Sequence, residues 1–110
     1  MSEDRDPHKA VDYILLNGKK FAKAKAERVY LEEYRKSLKA ILMKRSLENT
    51  VNAQEREAYS DPEYTQHLKA LQAAVETEEE IKWGLIAAQA RIEVFRTQSA
   101  NDRAMDKVTM

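Results

Sequence analysis

Ser60-Asp61-Pro62-Glu63-Tyr64 opens the stretch that decides the fold, and Trp83-Gly84-Leu85-Ile86-Ala87-Ala88-Gln89-Ala90-Arg91-Ile92-Glu93-Val94-Phe95 is its centre. Asp61 suits a helix N-cap, Pro62 the first helical position and Glu63 the positive end of the helix dipole. An alternative register caps with Ser60 and sets Glu63 at the third position, as a capping box. From Pro62 to about Ala104 no other proline interrupts. Tyr64, Leu68, Leu71, Val75, Ile81, Leu85, Ala88, Ile92 and Phe95 recur at helical spacing. The stretch therefore reads as one long amphipathic helix, fraying near Ser99–Asp102.

Working outward, a second helix is read from Lys19 to about Ser46, with an apolar stripe of Ala24, Leu31, Tyr34, Leu38, Ile41 and Leu42. Before it, Asp6-Pro7 is a helix start and Ala10, Val11, Ile14 and Leu15 form a short N-terminal helix. Asn17-Gly18 is expected to break or kink the chain there, with Gly18 as a C-cap residue. Leu47–Tyr59 is the connection, with a short helix from Ala53 capped by Asn52. The expected fold is all-α: an antiparallel, coiled-coil-like hairpin of two long helices, with a short N-terminal helix and a short connecting helix. It forms one domain over 1–110, with flexible ends at 1–6 and about 102–110.

Composition supports this. The chain has two glycines, two prolines and 35% charged residues, which favours long helices. It has no cysteine, so disulfides and thiolate metal sites are excluded. The acidic, polar N-terminus reads against a signal peptide, and no apolar run is long enough to span a membrane. Net charge is zero but arranged in blocks. Residues 19–45 carry ten basic and three acidic side chains, whereas residues 46–81 carry two basic and nine acidic. Such blocks imply internal pairing or a polarised surface.

If the long helices pair about a turn near residue 54, Gly84, Ala87 and Ala88 fall near Ala22, Ala24 and Ala26. Glu78, Glu79 and Glu80 fall near Arg28 and Lys25, and Leu71 and Val75 near Leu38 and Tyr34. Small residues then meet small ones, and the polar gap at Thr77–Glu80 meets cations.

The motifs for chemistry are sparse. His67 has Glu63 four residues earlier but no third ligand, so it reads as a surface histidine and no metal is expected. Glu76–Glu80 lacks the histidines of a helix-bundle carboxylate site. There is no glycine-rich phosphate loop and no nucleophile elbow. The chain therefore reads as a non-enzyme without a cofactor. Lys19, Lys20, Lys23, Lys25, Arg28, Lys36 and Lys39 form a basic helix, interleaved with aromatics, that suits single- or double-stranded DNA. Trp83, Ile86, Val94 and Phe95 cannot all face one seam, so a second apolar face is expected to serve self-association or a partner.

Asp61-Pro62-Glu63-Tyr64, His67-Leu68-x-Ala70-Leu71, Trp83, Ala88-Gln89-Ala90-Arg91-Ile92-Glu93-Val94-Phe95-Arg96 and Ser99-Ala100-Asn101-x-Arg103 together resemble small helical proteins of tailed bacteriophages, found near replication and recombination genes. The resemblance covers about residues 59–104 and leaves out the basic helix. It implies a non-enzymatic accessory factor of phage DNA replication or recombination. That factor would act in the bacterial cytoplasm by binding DNA, or a phage or host DNA-processing protein, through the basic helix. The alternative is a protein–protein adaptor or inhibitor of a host or phage enzyme with no nucleic-acid contact, and a third reading is an assembly factor that simply oligomerises; a homo-oligomer is expected in each.

Overall fold

A computed structural model describes residues 6–109, and every regular element among them is helical: α1 (Pro7–Arg45), α2 (Val51–Ser60) and α3 (Pro62–Thr109). The start signals act as their residue types require. The His8 amide donates to the Asp6 carboxylate at 2.9 Å, and the Glu63 amide to that of Asp61 at 2.8 Å. Asp61, not Ser60, is thus the cap of α3, and the Ser60 hydroxyl turns back to donate to the Glu57 carbonyl at 3.0 Å.

Several expectations need correction. Asn17-Gly18 does not break the chain: α1 is one helix of 39 residues. Asn17 instead donates its side-chain amide to the Tyr13 carbonyl at 3.0 Å, and Gly18 keeps negative φ. Ile14 and Phe21 on either side are half-buried, and one helical glycine costs only about 1 kcal/mol. Next, α2 starts at Val51 and is capped by Thr50, whose backbone is extended and whose hydroxyl accepts from the Ala53 amide at 3.2 Å. Asn52 is already inside the helix. Third, α3 does not fray near Ser99–Asp102 but continues to Thr109. Finally, Leu68, Val75 and Phe95 of the α3 stripe and Tyr34 and Ile41 of the α1 stripe are exposed.

The chain divides into two compact units, Met1–Phe21 with Glu80–Met110, and Ala22–Glu79. In the second unit, α1 and α3 run in opposite directions. Arg45 pairs with Glu63, His67 meets Leu31 and Tyr34, and Arg28 pairs with Glu78. Leu38, Leu42 and Ala58 form its buried cluster, with Met43 and Tyr64 packed against them. Arg45–Glu63 and Arg28–Glu78 lie within a few residues of the expected register, whereas Tyr34 meets His67 rather than a residue near Val75.

In the first unit, Ala10 and Ala88 are buried and Tyr13 lies over Gly84. Gly84 therefore makes room for a tyrosine, not for Ala24. The two glycines should respond oppositely to alanine. A Cβ at Gly18 meets nothing within 4 Å, so Gly18→Ala should stabilise by about 0.5–1 kcal/mol through helix propensity. A Cβ at Gly84 collides with the Tyr13 hydroxyl, so Gly84→Ala must displace that ring and should give no gain or a loss. Thermal melts of the two variants decide it; equal gains would refute the Tyr13–Gly84 contact.

Candidate functional site

Apart from half-buried Gly84 and Ser99, the buried and half-buried described positions of α3 are Tyr64, His67, Leu71, Ala74 and Glu78 in one unit and Ile81, Leu85, Ala88 and Ile92 in the other. They alternate three and four residues apart, which keeps one edge of the helix toward its neighbour. Two polar groups thereby enter the packed edge, and each is satisfied.

Glu78, 7% exposed, receives Arg28 through two nitrogens: Nε, and Nη2 at 3.2 Å. Arg28 Nη1 also donates to Glu32 at 3.0 Å. The hydrogen bond to Glu78, then that to Glu32, raise the guanidinium pKa and hold it charged. The surface position expected for His67 needs correction, for it is half-buried. Its Nε2 lies 2.7 Å from the Leu31 carbonyl and its ring 5.5 Å from that of Tyr34, while Glu63 binds Arg45. A carbonyl only accepts, so Nε2 carries the proton. The signal that could have placed His67 is its spacing, three residues after Tyr64 and four before Leu71.

Lys39 Nζ donates to Glu55 at 2.8 Å and lies 4.8 Å from the Tyr59 ring centroid, tying α1 to α2. Its hydrogen bonds to Glu55 and Tyr59 raise the ammonium pKa, and the Glu55 carboxyl is lowered chiefly by the same lysine. Tyr59 in turn meets Tyr64 edge-on at 5.2 Å.

The seven basic candidates thus separate. Arg28 and Lys39 are engaged with the acidic block, and Lys36 pairs loosely with Glu33 at 3.8 Å on the surface. Lys19 and Lys20 in one unit, and Lys23 and Lys25 in the other, are exposed. Tyr30, 62% exposed, stacks on Tyr34 at 5.9 Å. The second set, Trp83, Ile86, Val94 and Phe95, is exposed as well.

Among the described residues, no group of three or more histidines or carboxylates is placed to hold a metal ion. No described helix is long and apolar enough to cross a membrane. Comparison with known proteins finds no matching family model, no similar curated protein and no similar solved structure.

Proposed function

We propose that the chain is a non-enzymatic helix-pairing protein, an adaptor whose α1 and α3 form an antiparallel coiled-coil-like hairpin and whose outer faces engage other helices. One observation carries this reading. The basic and acidic blocks meet each other inside the Ala22–Glu79 unit, through Arg28–Glu78, Lys39–Glu55 and Arg45–Glu63. Charge that is matched internally steers phosphate poorly. Meanwhile large apolar groups stay exposed on all three helices, among them Leu15, Leu16, Tyr30, Val51 and Val94. The buried apolar set, by contrast, is Ala10, Leu38, Leu42, Ala58 and Ala88.

A second reading keeps nucleic acid. The exposed Lys19, Lys20, Lys23 and Lys25, and the stacked Tyr30–Tyr34 pair, have the chemistry to hold phosphates and bases. The likeness to phage proteins would place that activity in DNA replication or recombination. Fluorescence anisotropy with labelled single- and double-stranded DNA separates the two readings. The adaptor reading expects no saturable binding in the low micromolar range at about 50 mM salt. Tight binding that falls steeply between about 50 and 200 mM salt, and that disappears when Lys19, Lys20 and Lys23 become glutamate, would overturn it.

A further inference from the structure

Beyond Ile92, every described side chain of α3 through Val108 is exposed except the half-buried Ser99. Helices in proteins owe most of their stability to packing of one face, so a run this long and this bare is expected to have a partner. One row on it is built for pairing: Ala90, Val94, Thr97, Asn101, Ala104 and Val108 alternate four and three residues apart. Seven residues between Ala90 and Val108 are charged, and none lies on the row. The row sits two residues after Ala88 and Ile92, hence about 200° around the helix from the packed edge.

We propose that this row is a self-association seam, against which α3 of a second copy lies antiparallel. Ala90 then faces the second copy's Val108, Val94 its Ala104, and Thr97 its Asn101. Large meets small at the outer layers, and two hydrogen-bonding side chains meet at the centre. The flanks decide the direction. Antiparallel pairing sets Glu93 beside the second copy's Lys107, and two-fold symmetry makes that ion pair twice. A parallel pairing sets Glu93 beside Gln98 and forms no ion pair along the row. The paired length is roughly 27 Å at 1.5 Å per residue. This inference rests on the helix-pairing reading above and names a partner for it: a second copy of the chain.

Light scattering on the full chain is expected to give twice 12.7 kDa. Val94→Glu, an exposed position taking a good helix former, should keep the helical circular dichroism and give a monomer. Glu93→Lys and Lys107→Glu should each weaken the dimer by about tenfold, and the double exchange should restore it. Because the chain lacks cysteine, direction is read by disulfides. Ala90→Cys should not link to itself but should link to Val108→Cys when the two variants are mixed and oxidised. A monomer at high concentration overturns the proposal, as does a dimer indifferent to Val94→Glu or a self-linked Ala90→Cys. These outcomes are separable from the DNA test: DNA binding would overturn the adaptor reading and leave the dimer standing. A monomer would remove the second copy and leave other helix partners in play.

Discussion

Arg28→Leu is expected to lower the melting temperature at pH 7 by on the order of 10 °C, and replacing Glu78 by leucine as well is expected to restore it. Arg28 and Glu78 sit where α1 and α3 press together, with side chains 23% and 9% exposed. Two guanidinium nitrogens meet the carboxylate, so its desolvation is offset by charge-assisted hydrogen bonds. Leucine at 28 removes that compensation and leaves a carboxylate in a site that favours its neutral form. The deficit should be largest at pH 7 and shrink as pH falls, because protonating Glu78 removes the buried charge whose bonds to Arg28 are gone. In the double variant no buried charge remains, and two leucines of similar bulk can pack across the seam, which is often neutral or better. Melts at pH 7 and pH 5 on the three proteins settle this. A single variant as stable as wild type, or a double variant no better than the single, would refute the role given to the pair.

Leu42→Ala should cost about 3 kcal/mol in urea unfolding. Leu42 is 4% exposed and shares its cluster with Leu38 and Ala58, so it touches the place where all three helices meet. The cluster is thin: Leu38, Leu42 and Ala58 are its buried members. Leu47→Ala is the control. Leu47 is 96% exposed at the link between α1 and α2, and its loss should stay within about 0.5 kcal/mol. If the two substitutions cost the same, the cluster does not hold the unit together.

These two expectations differ in how far the chain itself announced them. The Arg28–Glu78 pair was legible because a carboxylate on an apolar edge must find a cation, and only one block of the chain is rich in them. The Leu38–Leu42–Ala58 cluster was half legible. The leucines stood on a stripe, but nothing local showed that α2 would supply Ala58 to cover them. Tyr34 was expected against Val75 and meets His67. The candidate surface was legible by composition and not by use. Lys39 looked like Lys23 in sequence, yet one is tied to Glu55 and the other is exposed.

The sequence by itself determined what depends on neighbours in the chain. Asp6-Pro7 and Asp61-Pro62 begin helices because carboxylates cap free amides and proline fits the first turn. The scarcity of glycine and proline keeps most of the chain between them helical, with residues 46–50 as the link. Tertiary structure decided what depends on packing across the chain. Gly18 stays helical between half-buried Ile14 and Phe21. Gly84 serves Tyr13 in one unit, and in the other His67 is drawn in to the Leu31 carbonyl, contacts between residues far apart in the chain. The stretch from Trp83 to Phe95 shows both levels at once. Its residues made it a helix, and packing turned Ala88 and Ile92 inward while leaving Ala90 and Val94 on the outside.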